Sequence, residues 1–221
     1  MSDTLDSRSE VDNVRRKLLM GAAAATTLGP WLTPAHAAVE LEGVTVADTA
    51  MVGGHKLVLN GAAVRKRGYF KADVTALYLP EKRTNPEAIF KLDGPRRIQL
   101  NILRDFTSGT ISRIFVADFK QSATEEEFKK LITVVGQIGQ AYGNVRAVNR
   151  GDVVNLDWIP GTGWTASINN KPVYVEPGQP LIIKDELAYQ IYLRMYIGPN
   201  TPADLRNGLL GLTKLPHVKD D

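Results

Sequence analysis

The alternation of apolar and polar residues predicts β-strands in the first half of the chain. Ile98, Leu100 and Ile102 recur at every second position, which places them on one face of a strand. Residues 69–79 are rich in aromatic and β-branched side chains and predict a central strand. The Asn-Gly pair at residues 60–61 is predicted to bend the chain. The strands predicted in this half are residues 39–46, 56–59, 69–79 and 97–103.

Apolar residues spaced three and four positions apart predict helices in the middle of the chain. The most regular pattern covers residues 124–142, where an apolar stripe runs from Phe128 to Tyr142. Thr124 and Glu127 have the spacing of a capping box at the start of this helix. Shorter patterns predict helices over residues 86–91 and 108–119.

The last third of the chain returns to strands and then to helices. Three predicted strands are joined by turns rich in Gly, Pro and Asn, which is typical of an antiparallel meander. Tyr189, Tyr192 and Tyr196 recur along the helix that follows, and we assign them to its packed core face. The blocks of strands and helices predict an α+β fold with a mainly antiparallel sheet. These last elements are strands over residues 152–159, 164–168 and 172–175, a helix over 185–197, and a helix that restarts near Pro202 and closes at Gly211.

Residues 1–37 have the layout of an export signal. A polar lead, a positive cluster and a short apolar run end in a small-residue cleavage pattern at Ala37. The apolar run is shorter than the ~20 residues that a membrane-spanning helix needs. The arginine pair at 15–16 resembles a twin-arginine signal, with a general secretory signal as the alternative. The sequence therefore predicts cleavage after Ala37, one domain over residues 38–221 without a transmembrane span, and a periplasmic location.

Composition narrows the chemistry available to the chain. The 221 residues are 43% hydrophobic and 23% charged, which is typical of a globular protein. The absence of cysteine excludes disulfides, thiolate metal sites and Cys nucleophiles, and 3 histidines are too few for a multi-histidine site. The net charge of +3 provides no strong basic field for nucleic acid. We therefore expect no metal, no cofactor and no nucleic-acid partner, and the oligomeric state stays open.

An ordered set of short motifs runs through residues 55–211. The motifs are Leu59-Asn60-Gly61 followed by Arg65, Tyr69-x-Lys71 followed by Ala76-Leu77-Tyr78-Leu79, Arg97-Ile98-Gln99-Leu100, Asp157-Trp158-Ile159-Pro160-Gly161 and Tyr196-Ile197-Gly198. In order and spacing this set resembles the chalcone isomerase superfamily, in particular its exported bacterial members. The resemblance implies an open-faced β-sandwich, in which helices pack on one face of a large antiparallel sheet and leave a cleft between the layers.

The resemblance also implies a site in that cleft. Plant members cyclise a chalcone with an arginine on an early strand and a relay of threonine, tyrosine and asparagine, whereas non-catalytic members bind fatty acids through the arginine and a tyrosine. Arg65 matches the arginine, and Tyr78 or Tyr69 is the candidate tyrosine. The polar relay is lost, although a cation is kept beside it. The positions that correspond to the relay and to its neighbouring lysine are Asp73, Thr110, Ala117 and, for the lysine, Arg113.

The carboxylate of Asp73 bears directly on the role of Arg65. It would repel an anionic ligand at like charge, or it would pair with Arg65 and remove the free cation. Both residues also have interpretations that involve no ligand. Arg65 can be an exposed charge in a turn that continues into Lys66 and Arg67, and Asp73 can lie on the solvent face of its strand.

Our leading hypothesis is a periplasmic, non-catalytic protein that binds a small amphipathic acid, fatty-acyl or aromatic. The planar guanidinium of an arginine suits a carboxylate head group, and an apolar cleft suits the rest of such a ligand. Two alternatives are an intramolecular lyase acting on a chalcone-like enone, and a structural or partner-binding envelope protein whose cleft is filled by its own side chains. The candidate ligand-binding residues are Arg65, Asp73, Tyr78, Thr110 and Arg113.

Overall fold

The computed structural model describes residues 39–216. The predicted signal at residues 1–37 lies outside this part of the chain, so it stays a prediction. Among the described helices, none combines the length and apolar character needed to cross a membrane.

The strands build one large sheet and three small two-stranded sheets. In chain order they are β1 (Val39–Leu41), β2 (Val44–Val46), β3 (Thr49–Val52), β4 (His55–Arg67), β5 (Phe70–Leu79), β6 (Arg96–Ile102), β7 (Phe106–Thr107), β8 (Ala147–Val148), β9 (Val153–Ile159), β10 (Gly163–Ile168), β11 (Lys171–Pro172), β12 (Tyr174–Glu176), β13 (Gln179–Pro180) and β14 (Ile182–Ile183). Within residues 39–216 the large sheet has 8 strands in the order β11-β10-β9-β6-β5-β4-β3, with β14 also paired to β10. Every pairing in this sheet is antiparallel. The small sheets pair β1 with β2, β7 with β8 and β12 with β13.

The helices lie over one face of the large sheet. They are α1 (Pro86–Phe90), α2 (Ser108–Ser122), α3 (Glu125–Lys130), α4 (Ile132–Asn144), α5 (Glu186–Ile197) and α6 (Ala203–Leu209). Their apolar residues join those of the sheet in one core cluster, which includes Leu77 of β5, Phe115 of α2 and Tyr192 of α5. The other face carries a smaller cluster under the β1–β2 hairpin, built around Val74 and Tyr78. This arrangement confirms the expected open antiparallel sheet with helices packed on one face.

Local sequence signals explain where several helices begin. The Asn85 side chain accepts a hydrogen bond from the backbone N–H of Glu87 at 2.9 Å, which caps α1. Thr124 and Glu127 form the expected capping box of α3. Burial alone would raise the pKa of the Glu127 carboxyl, but hydrogen bonds from the Thr124 backbone and the Arg194 guanidinium hold it below its usual value.

The predicted helix over residues 124–142 is wrong as one continuous element. The chain leaves the helical backbone at Leu131 (φ −100°, ψ 11°), so α3 and α4 are separate helices. At the break, Leu131 is buried in the core and the adjacent Ile132 is exposed.

The predicted bend at residues 60–61 is also wrong, because β4 continues through this pair. The register of β4 against β5 shifts between Leu59 and Gly61, which is a β-bulge at Asn60. Gly61 lies against α6, where a Cβ atom would collide with the carbonyl oxygens of Gly208 and Leu209. The bulge and this close approach carry β4 on to Arg65, opposite Asp73 of β5.

Candidate functional site

A cavity of about 100 Å³ lies between the large sheet and the helix layer. Its walls are predominantly apolar and come from both layers. The apolar side chains of the wall include Leu100, Ile102, Val154 and Leu156 of the sheet and Ile111 and Phe115 of α2. The described chain therefore holds a partly enclosed apolar space beside Arg65, rather than a cleft completely filled by its own side chains.

Arg65 lies at the polar end of the cavity and is paired with Asp73. Its Nε donates to Asp73 Oδ2 at 2.8 Å, and its Nη2 lies 2.6 Å from the same oxygen. The Arg65 side chain is 15% exposed and the Asp73 side chain 0%. Thr75 Oγ1 donates to the other carboxylate oxygen at 2.5 Å, so both oxygens of Asp73 have donors. The pair exists because the antiparallel register sets Arg65 directly opposite Asp73.

Two tyrosines of α5 complete the surroundings of Arg65. Arg65 Nη1 donates to the Tyr196 hydroxyl at 3.4 Å, and the guanidinium carbon lies 5.3 Å from the centre of the Tyr196 ring. The hydroxyls of Tyr196 and Tyr192 are hydrogen-bonded to each other at 2.9 Å. Both tyrosines line the cavity, as does Tyr142 of α4. The result is a continuous polar group, Asp73–Arg65–Tyr196–Tyr192, at the end of an apolar space.

The charge states of this group follow from burial and pairing. Burial alone would lower the pKa of the Arg65 guanidinium, but the Asp73 carboxylate more than offsets this and the pKa is raised. Arg65 is therefore protonated at any working pH. Burial raises the pKa of Tyr142, Tyr192 and Tyr196, which keeps their phenols neutral. The group thus presents one ion pair and neutral hydroxyls.

A second arginine and carboxylate line the same cavity. The Arg67 guanidinium forms a salt bridge to Asp118 of α2 through both of its Nη atoms. The Arg67 side chain is 34% exposed, more than twice the value for Arg65, so this pair lies nearer to solvent. Like Arg65, this second cation has its charge compensated by a carboxylate.

The structure brings two of the five candidate site residues together and separates the others from them. Arg65 and Asp73 form the pair described above. Tyr78 points to the opposite face of the sheet, where it donates to the Ala47 carbonyl at 2.8 Å and burial raises its pKa to about 12. Thr110 lies in the first turn of α2, where its backbone N–H donates to the capping side chain, and Arg113 is exposed. Neither Thr110 nor Arg113 belongs to the cavity wall as the structure describes it.

The tyrosines that do contact Arg65 were assigned from the sequence to the core. Tyr189, Tyr192 and Tyr196 are indeed buried, but the last two also line the cavity. Their spacing along α5 was the available signal, and it does not distinguish a core face from a cavity wall. The other candidate tyrosine, Tyr69, is fully exposed at the turn between β4 and β5.

Within residues 39–216, no cluster of three or more His, Cys, Asp or Glu side chains is arranged to hold a metal ion. The donor atoms that the cavity offers are a guanidinium, a carboxylate and phenol hydroxyls. They can hydrogen-bond a ligand's polar group while the apolar wall packs against its carbon skeleton.

Comparisons with known proteins agree with this architecture. The family model described as chalcone isomerase-like matches residues 38–211. No curated protein sequence matches the chain significantly. Among solved structures, a fatty-acid binding protein of Arabidopsis thaliana is similar with a TM-score of 0.63 at 14% sequence identity, covering 79% of this chain and 96% of the plant chain. At that level of identity the match shows a shared fold.

Proposed function

Because this chain belongs to the chalcone isomerase-like family, we propose that it binds a small amphipathic ligand in the cavity beside Arg65 without transforming it. The observation that carries the proposal is an apolar space that ends on a largely buried, hydrogen-bonded polar group. A fatty-acid binding protein shares the fold. The sequence predicts a fatty-acyl or aromatic acid, and a ligand of this shape would place its carbon skeleton against α2 and its head group towards Arg65.

The volume of the cavity sets the size of what enters without rearrangement. About 100 Å³ is below the roughly 300–1,000 Å³ typical of pockets for drug-sized ligands. It is of the order of a cavity that holds one benzene ring, about 150 Å³. A ring or short alkyl segment therefore fits beside Arg65, and a longer chain requires α2 and α4 to separate. Phe115, whose ring packs edge-on against Tyr142 of α4 at 5.2 Å, is the side chain that must move.

The lyase alternative has less support at this site. Charge stabilisation of an oxyanion needs a cation aimed at the developing charge. The Nε and Nη2 groups of Arg65 already face Asp73. The positions of the plant relay fall on Asp73, on Thr110 outside the cavity wall, and on the exposed Ala117. Non-catalytic binding is accordingly the function we favour.

The site of action in our proposal is the periplasm, after removal of residues 1–37. The support is the layout of the leader: an arginine pair, a short apolar run and small residues before Ala38. Cell fractionation of the expressed full chain tests this part. A shortened chain that begins near Ala38 in the periplasmic fraction supports it, and a full-length chain confined to the cytoplasm contradicts it.

The binding proposal is tested by filling the cavity. Val154 lines it, whereas the preceding Val153 points to the opposite face of the sheet. Phenylbutanol and octanol, titrated into the purified protein by calorimetry and checked by native mass spectrometry, should bind one to one. Val154→Phe should abolish binding, and Val153→Phe, the matched control, should keep it. Binding that survives in a folded Val154→Phe variant would place the ligand elsewhere and refute the proposed site.

A further inference from the structure

We infer that the ligand head group held beside Arg65 is uncharged: a hydroxyl, an amide or a carbonyl rather than a carboxylate. This inference rests on the proposed function and replaces the acid predicted from the sequence with a ligand whose head group is neutral. The observation that carries it is that both arginines of the cavity wall are already paired with carboxylates of the protein.

Asp73 already occupies the two groups of Arg65 that face it, Nε and Nη2, so an entering anion cannot bind them without displacing Asp73. One carboxylate oxygen of Asp73 contacts Nε and Nη2 of Arg65, and the other accepts a hydrogen bond from the Thr75 hydroxyl. To take over these donors, a ligand carboxylate would have to displace Asp73, whose side chain has no exposed surface. A buried carboxylate left without its partner is strongly unfavourable. Displacement is therefore not an available route.

Sharing Arg65 is no easier for an anion. Arg65 keeps a second N–H on Nη1, beside its bond to Tyr196, but a carboxylate bound there would lie close to the negative charge of Asp73. Two carboxylates at one buried site repel each other, and one of them must then take up a proton. Arg67 keeps one donor, since its buried Nε makes no hydrogen bond in the described chain, but its charge is already compensated by Asp118, which both Nη atoms face. Among the described residues that line the cavity, no cation is left to compensate a third carboxylate.

A neutral oxygen meets none of these penalties. Arg65 Nη1 can donate to it, and the hydroxyls of Tyr142, Tyr192 and Tyr196 can donate or accept, because burial keeps these phenols protonated. The hydroxyl of Tyr142 makes no side-chain hydrogen bond to another residue in the described part of the chain, although its ring lines the cavity. An alcohol or carbonyl oxygen would therefore find donors without disturbing the ion pair.

The test compares matched ligands that differ only in the head group. The probes are octanol against octanoate and phenylbutanol against phenylbutanoate, measured by calorimetry at neutral pH. The wild-type protein should bind the alcohol of each pair at least tenfold more tightly, which corresponds to about 1.4 kcal/mol. Asp73→Asn removes the competing charge at nearly constant shape, so the affinity of the carboxylates should rise by more than the wild-type difference and the order should reverse.

A matched control removes an equivalent charge elsewhere. Asp157 pairs with Arg97 across β9 and β6, on the face of the sheet away from the cavity. Asp157→Asn should leave the order of the probes unchanged.

If the wild-type protein binds octanoate and phenylbutanoate as tightly as the alcohols, the inference is wrong while the proposed binding function stands. If no probe binds, the proposed function itself fails and the inference falls with it. The wild-type comparison decides the matter even where Asp73→Asn folds poorly.

Discussion

Replacing Arg65 with methionine is expected to destabilise the fold, because it leaves a buried carboxylate without its cation. Methionine keeps much of the apolar stem and removes only the charge and its donors. Asp73, with 0% of its side chain exposed, would retain one hydrogen bond, from Thr75 at 2.5 Å. Since no solvent reaches the carboxylate, water cannot replace the lost donors.

The expected cost is about 3–5 kcal/mol, the range for breaking one side of a buried ion pair. This is a large share of the roughly 5–15 kcal/mol that stabilises a typical domain. The Arg65 side chain is only 15% exposed, so solvent screens the pair little. The range for a buried ion pair therefore applies, and not the smaller one for a surface pair. With a urea dependence of about 2 kcal/mol per molar, the unfolding midpoint would fall by about 2 M.

Urea unfolding of a double-mutant cycle measures this directly. The cycle contains Arg65→Met, Asp73→Leu and the double variant, each followed by far-ultraviolet circular dichroism. The double variant removes both charges and should lie near the wild-type stability, because apolar pairs often replace buried ion pairs without loss. Lys71→Met is the matched control: it breaks an exposed pair with Glu42, whose two side chains are 52% and 34% exposed, and should cost less than about 1 kcal/mol.

Two outcomes would show that the reasoning is wrong. One is an Arg65→Met variant that loses no more stability than Lys71→Met, which would mean that water or another cation reaches Asp73. The other is additivity of the two single variants, since contacting residues must show a coupling energy.

Three further predictions concern the fold, its pH dependence and its export. Gly61→Ala should destabilise by about 1–3 kcal/mol in urea unfolding because its Cβ would collide with α6, whereas Gly109→Ala, with open space around it in α2, should be neutral or slightly stabilising. The lowered pKa of Glu127 means that its contribution to stability is present above the unfolded-state value of 4.5 and is lost as the pH falls below it. Glu127→Gln should therefore flatten the acid side of the stability profile, and an unchanged profile would contradict the cap. Replacing Arg15 and Arg16 with lysines should retain the chain in the cytoplasm on fractionation, and undiminished export would point to the general secretory route.

The parts of the fold that sequence patterns predicted are those set by local periodicity and local capping. The alternation at Ile98, Leu100 and Ile102 placed β6, and the spacing of Thr124 and Glu127 placed the start of α3. The bulge at Asn60 was missed because it depends on the approach of α6, which is distant along the chain. The sequence pattern at that point is identical to that of a tight turn.

The candidate site was predictable in Arg65 and Asp73, whose pairing was one of two alternatives, but not in its tyrosines. The resemblance to chalcone isomerases identified Arg65, and the register of β4 against β5 decides that Asp73 is its partner. Which tyrosine joins them depends on the angle at which α5 packs over the sheet, and no local spacing encodes that angle. Tyr78, a candidate from the sequence, therefore lies on the face of the sheet away from the cavity. Tyr196, which the sequence assigns to the core, contacts Arg65.

The central claim is that the cavity beside Arg65 binds the ligand, and tyrosine-labelled nuclear magnetic resonance tests it most directly. The protein contains 7 tyrosines, and their ring signals can be assigned with single Tyr→Phe variants. On titration with phenylbutanol, the signals of Tyr142, Tyr192 and Tyr196 should shift together and saturate at one equivalent. Those of Tyr69, exposed at its turn, and of Tyr78, across the sheet, should stay in place. Shifts confined to Tyr69, or no shift at the three cavity tyrosines at saturating ligand, would contradict the account.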